Sequence, residues 1–143
     1  MNDIRWKQRY SNYTNMLKVL NDNLQNKEPN SFTKLEKIGL AKTFELSFEL
    51  LWKLLKDYLE YEQIEIGLIS PKNILKAAAA KGLLEQMDTN GDILMQAHKS
   101  RNELLHIYDE KFYCTTLEII KNSYLEQMNK IDDFFKKMVG ENE

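Results

Sequence analysis

Cysteine occurs once in this chain of 143 residues, proline twice and glycine five times. A lone cysteine, Cys114, excludes an internal disulfide framework and suits a reducing compartment. It sits in Phe112-Tyr113-Cys114-Thr115-Thr116 with no histidine close in sequence, so a small core residue is expected there, not a nucleophile. So little proline and glycine removes the punctuation of short strands, while plentiful Leu, Glu, Lys, Asn and Met favour long helices. Charge of one sign is also lacking. The formal net charge is −2, which gives no basic footprint for non-specific nucleic-acid binding and no expectation of a DNA partner. No stretch approaches ~18 consecutive apolar residues, and Met1-Asn2-Asp3-Ile4-Arg5-Trp6 lacks the apolar run of a signal peptide. A cytoplasmic protein without membrane contact is expected.

Motifs for bound groups are missing as well. Two histidines without Cys-rich spacing make no zinc site, and no Gly-rich loop is present to cradle ATP. Asp88-Thr89-Asn90-Gly91-Asp92 resembles the opening of a calcium loop, but the sixth position is Ile93 instead of Gly and the twelfth is Lys99 instead of Glu. It reads better as a turn and N-cap. No metal and no cofactor are expected.

What is present is helical periodicity. Trp6, Tyr10, Tyr13, Leu17, Leu20 and Leu24 repeat at gaps of four and three, a heptad seam for a first helix over 3–24. Arg5, Lys7 and Arg9 read as its solvated face. Thr33-Lys34-Leu35-Glu36 reads as a capping box opening a second helix that runs to Tyr61. Between Phe44 and Leu55 that helix is apolar on most of its circumference, as a helix at the centre of a bundle would be, or one that adds a dimer contact. Its Glu45 and Glu49, with Lys42 and Lys53 beside them, read as a salt-bridged face. Ser70-Pro71 opens a short helix that stops at Gly82 and suggests no chemistry. A fourth helix spans 92–106. The last, over 109–139, carries Leu117, Ile120, Tyr124, Met128, Ile131, Phe135 and Met138, and residues 140–143 should fray. The fold expected is all-α, an antiparallel four-helix bundle plus one short helix, in a single domain over 1–143. A chain of this length buries roughly two thirds of its unfolded surface.

The chemically capable run is Arg101-Asn102-Glu103-Leu104-Leu105-His106-Ile107-Tyr108-Asp109. On a continuous helix, Leu94, Ala97, Arg101, Leu104 and Tyr108 share a stripe, and Asn102, His106 and Asp109 form a second row. Arginine on an apolar stripe needs a partner, because its charge cannot be lost. Metal-free RNA cleavage needs a base for the 2′-hydroxyl, an acid for the leaving oxygen and a cation for the phosphate. His106 suits either proton-transfer role and Arg101 suits the phosphate, with Asn102 and Asp109 placed to orient the ring. An ideal helix sets residues five apart at ~140°, so one chain presents Arg101 and His106 poorly to one phosphate unless the helix unwinds before His106. Two chains across a two-fold axis would also answer this. His98 is expected at the rim. Residues 88–110 hold Lys99 and Arg101 against Asp88, Asp92, Glu103, Asp109 and Glu110, which counts against an RNA held mainly by charge.

The run Arg101-(four residues)-His106-X-Tyr108, with Asn102 after the arginine and Asp109-Glu110 after the tyrosine, resembles the signature of the HEPN superfamily. Phe44-Glu45-Leu46-Ser47-Phe48-Glu49-Leu50-Leu51-Trp52-Lys53, together with Ser70-Pro71, Ala77-Ala78 and Gly82-Leu83, is similar to the nucleotidyltransferase substrate-binding protein family. That family includes the HepT toxins of MntA–HepT toxin–antitoxin pairs. The resemblance covers residues 44–110 in order. It implies a HEPN-like homodimer encoded beside a minimal nucleotidyltransferase antitoxin. It further implies a metal-independent endoribonuclease with catalytic Arg101 and His106 composite across the dimer, Asn102 as a polar helper, and Tyr108 as the residue the partner silences with AMP. The family's older name implies a different role, a non-catalytic subunit that binds substrate for the nucleotidyltransferase.

Overall fold

A computed structural model of the chain describes residues 4–141. Helix α1 spans Ile4–Leu24, and the expected start at Asp3 lies outside the described residues. Its seam is buried as the heptad predicts: Trp6, Tyr13, Leu17, Leu20 and Leu24 lie in the core and Tyr10 packs half-buried beside them. A 3₁₀ turn, Pro29–Ser31, leads to α2, Lys34–Tyr61. The capping box forms in full, since the Glu36 amide donates to Thr33 Oγ1 at 3.1 Å and the Thr33 amide donates to Glu36 Oε1 at 2.8 Å. Replacing Thr33 with alanine removes one of these bonds and should cost about 1 kcal/mol, read as a lower midpoint in a urea melt. An unchanged midpoint would show that the cap adds nothing.

Helix α3, Pro71–Ala80, starts at Ser70, whose side chain accepts from the Asn73 amide. Gly82 then adopts a left-handed conformation (φ 78°) and opens α4, Leu83–Gln86, a single turn that the sequence reading lacked. Leu83, Leu84 and Met87 anchor this turn in the core. Helix α5 spans Gly91–Leu104. Helix α6, Glu110–Ile119, passes through a π turn, Ile120–Tyr124, into α7, Leu125–Glu141. The last helix was expected unbroken and fraying from Gly140. It instead contains a π segment and stays helical through Glu141, while Asn142 and Glu143 lie outside the described residues.

Contacts give the topology. Trp6 packs on Tyr58 and Phe135, and Arg9 reaches Asp57, so the start of α1 meets the ends of α2 and α7. The Asn90 amide donates to Gln127 and Ser100 bonds Tyr124, which sets α5 antiparallel to the last helical stretch. The result is an up-down-up-down bundle of α1, α2, α5 and α6–α7, with α3 packed against α2 and α5. Two details differ from expectation. Arg9 is no purely solvated residue, because it answers the buried carboxylate of Asp57 at 3.0 Å. Cys114 is half-buried instead of core, since the inward positions of that turn go to Tyr113, Thr116 and Leu117. Among the described residues no helix is long and apolar enough to cross a membrane.

Candidate functional site

Helix α5 organises the site, and where it stops decides its form. Asn90 caps its start by accepting from the Asp92 and Ile93 amides. Leu94, Ala97 and Leu104 face the core, so the apolar stripe holds for as long as the helix does. The helix ends at Leu104, not at His106. The turn tightens there, with the Leu105 amide on Asn102 O and the His106 amide on Glu103 O. Two causes act together. Leu105 and His106 are exposed and Ile107 is only half-buried, so a further turn would bury little. Asp109 meanwhile takes extended geometry and caps α6, its carboxylate accepting from the Lys111 amide at 3.3 Å.

The two rows expected on a continuous helix therefore do not form beyond Leu104. Asp109 belongs to the start of α6 and does not orient His106. Tyr108 does not continue the Arg101 stripe. It stands in the connecting loop, 84% exposed, with its hydroxyl donating to Leu105 O. The unwinding that would free His106 from its poor helical angle to Arg101 has taken place.

Arg101 has found a partner 52 positions away in sequence. Its Nη2 donates to Glu49 Oε1 at 2.6 Å, and its Nη1 donates to Asn102 Oδ1 at 3.2 Å. Glu49 also accepts from Trp52 Nε1 and pairs with Lys53. Burial alone would raise the Glu49 carboxyl, but hydrogen bonds from Lys53 and Trp52 and the charge of Arg101 outweigh it and hold its pKa below the ordinary value. The salt-bridged face read from sequence is real, and Arg101 is its unforeseen member. Asn102 continues the chain, its Nδ2 lying 3.3 Å from His98 Nε2.

His98 is the main correction on this helix. It is no rim residue: it is 7% exposed and its ring stacks on Phe48 at 6.0 Å. Burial, with Arg101 and Lys72 nearby, lowers its pKa below the ordinary 6.5. The His98 and Asn102 spacing of four was legible as a same-face pair, but nothing local showed that this face turns inward.

Two clefts flank the loop. One, of about 540 Å³, is lined by Lys72, Gln96, His98, Lys99, Asn102 and His106, among others. The other, of about 760 Å³, holds Tyr108 with Lys34, Ile38, Lys42 and Tyr113. His106 and Tyr108, two residues apart, thus open on different clefts. Two of the five acids of this region are paired, Glu110 with Lys37 and Asp88 with Lys130, and Asp109 is a cap. Glu103, however, lines the His106 cleft together with Lys99 and with Lys72, which α3 brings there. Sequence reading missed Lys72 because the short helix carried no motif.

The chain is thus an all-α up-down-up-down bundle with a half-buried polar chain, Glu49, Arg101 and Asn102, leading to a cleft that holds two histidines. The sequence comparison makes it specific: the family described as nucleotidyltransferase substrate binding protein like matches residues 8–137, and the chain belongs to that family. None of the curated proteins compared with the chain matches it.

Proposed function

We propose that the chain is a toxin-type, metal-independent endoribonuclease that acts as a homodimer and is silenced when a partner nucleotidyltransferase attaches AMP to Tyr108. One observation carries this reading: the end of α5 at Leu104 releases His106 into a cleft with Lys72 and Lys99 and leaves Tyr108 exposed. A cleft with imidazole and ammonium groups has the parts that phosphodiester cleavage needs, a proton-transfer group and cations for the phosphate. Arg101 lines neither cleft and both of its Nη atoms are engaged, so it would hold the phosphate only by exchanging Glu49 or Asn102 for it, and a second copy of the chain would bring a second set of imidazole and cations to the same phosphate.

The tyrosine assignment is supported by exposure. Of the seven tyrosines, the other six are buried or half-buried. Tyr13 lies wholly inside with its hydroxyl on Met128 O, and burial pushes Tyr10 up to about 12. Only a hydroxyl open to solvent can reach the active site of another enzyme. Co-expression with the partner nucleotidyltransferase should add one or more AMP masses to the wild-type chain and none to Tyr108→Phe, read by intact-mass spectrometry. AMP found on the Tyr108→Phe chain would move the acceptor elsewhere.

The reading as a whole is tested by expressing wild type and His106→Ala in a bacterial host while following growth and total RNA. Arrest and RNA breakdown that disappear in the mutant support it. One observation favours a second reading, a non-catalytic subunit that binds substrate for a nucleotidyltransferase. Arg101 is already engaged within the chain by Glu49 and Asn102, which leaves neither Nη atom free for a phosphate. Intact RNA and identical growth for both chains would select that reading.

A further inference from the structure

Resting on the ribonuclease reading and deepening it, we propose that Glu49 is a built-in competitor of the RNA phosphate. It holds Arg101 in the free chain, and Arg101 exchanges that carboxylate for a backbone phosphate when single-stranded RNA occupies the His106 cleft. Arg101 is tied to the wall of this cleft without lining it. Its Nη1 donates to Oδ1 of Asn102, and Asn102 lines the cleft with His106 and Lys72.

The pair is built to come apart with Glu49 left in place. Arg101 gives Glu49 a single N–H, Nη2 to Oε1 at 2.6 Å, whereas a guanidinium grips best through two parallel bonds. Its Nε is buried without a hydrogen-bond partner among the described residues. A phosphate, with two oxygens to offer, fills a fork that Glu49 leaves half used. Glu49 loses little by the exchange. Trp52 Nε1 donates to its Oε1 at 3.2 Å, and Lys53 Nζ lies 3.0 Å from its Oε2. The carboxylate therefore keeps a partner on each oxygen, one of them a cation, after Arg101 has gone. Solvent also reaches the pair, whose side chains are 22% and 28% exposed. An ion pair so placed changes partners more readily than one sealed in a core.

A carboxylate that merely steadies Arg101 toward a substrate would act in the opposite direction. Removing the charge of a support weakens RNA binding, and removing the charge of a competitor strengthens it. The placement of the pair favours competition. A support would present the guanidinium to the cleft, whereas Arg101 lines neither cleft while Glu49 holds it.

The test is a double-mutant cycle for binding of a defined single-stranded RNA, read by fluorescence anisotropy. All chains in the cycle carry His106→Ala so that bound RNA stays intact, and cleavage by wild type and thermal melts are followed alongside. Glu49→Gln, which keeps an oxygen for Trp52, should tighten binding by about 3–30-fold, the effect of one charged hydrogen bond discounted for exposure. In an Arg101→Gln background the same change should do nothing. Arg101→Gln alone should reduce the slope of log Kd against log salt by about 0.7, the share of one phosphate contact. Tightening that persists without Arg101 is a general effect of charge and overturns the exchange. So does unchanged or weaker binding by a Glu49→Gln chain that melts like its parent. In both cases the ribonuclease reading stands as long as wild type cleaves. If wild type cleaves nothing, that reading falls and the cycle decides the exchange alone. A His106→Ala chain that binds no RNA overturns the exchange in either case. If the Glu49 variants unfold, the guanidinium ¹⁵N signals of Arg101 in the His106→Ala chain decide. RNA that moves them supports the exchange, and RNA that leaves them unmoved overturns it.

Discussion

Replacing His106 with alanine is expected to lower RNA cleavage by about 10²–10⁴-fold, the usual contribution of one positioned acid or base, and to relieve growth arrest. The fold should hardly notice. His106 is exposed and lies past the last helical residue of α5, where substitutions fall within about 0.5 kcal/mol. The backbone of the turn is held by amide bonds to Asn102 and Glu103 carbonyls that alanine preserves. Activity and stability should therefore separate cleanly, by cleavage assay on one side and thermal melt on the other. A mutant that melts like wild type yet still arrests growth and breaks RNA would remove His106 from the chemistry. A mutant that loses stability in proportion to activity would give the ring a structural role instead.

Replacing Glu49 with alanine should destabilise the chain by about 1–3 kcal/mol. The carboxylate receives Arg101, Trp52 and Lys53, and Arg101 Nε already lacks a partner. Without Glu49 the guanidinium keeps the single bond to Asn102. The loss stays below that of a fully buried pair because the side chains of Arg101 and Glu49 are 22% and 28% exposed. Removing Arg101 as well should recover part of the loss, since the stranded charge goes with it, and urea melts of the two single mutants and the double mutant measure the coupling. Equal stability of wild type and Glu49→Ala would show that the pair contributes nothing. The pH dependence has a definite sign. The folded pKa of Glu49 lies below its ordinary 4.5, so its stabilisation is present above that value and is lost as pH falls through the folded pKa. His98, also lowered, adds a loss that begins as pH drops below 6.5. Glu49→Gln should flatten the more acidic of these two slopes and deepen the other, because it removes the charge that raises the His98 pKa.

The local elements were legible to a residue or two where a cap or a seam marks them. Thr33-Glu36, Ser70-Pro71 and the Trp6 to Leu24 heptad each encode a structure through neighbours within one or two turns, and each formed. The inventory of the site was legible as well, since Arg101, Asn102, His106 and Tyr108 carry their chemistry wherever they point. The error at His106 came from extending a periodicity past the point where burial still supported it. Helical spacing continues through Tyr108 on paper, but no residue from Leu105 to Asp109 is fully buried, and Asp109 offers a better start for the next helix.

The sequence by itself determined four long helical stretches, their apolar faces and a cluster of side chains able to transfer protons and hold anions. Only the tertiary structure decided which of them meet. It set Glu49 of α2 against Arg101, carried Lys72 of α3 to the histidine cleft, turned His98 inward onto Phe48, and sent His106 and Tyr108 to different clefts. The physical reason is one of range. Periodicity and capping act over a few residues, whereas the partner of a half-buried charge is chosen by how two distant helices pack, and that choice leaves no mark on either segment alone.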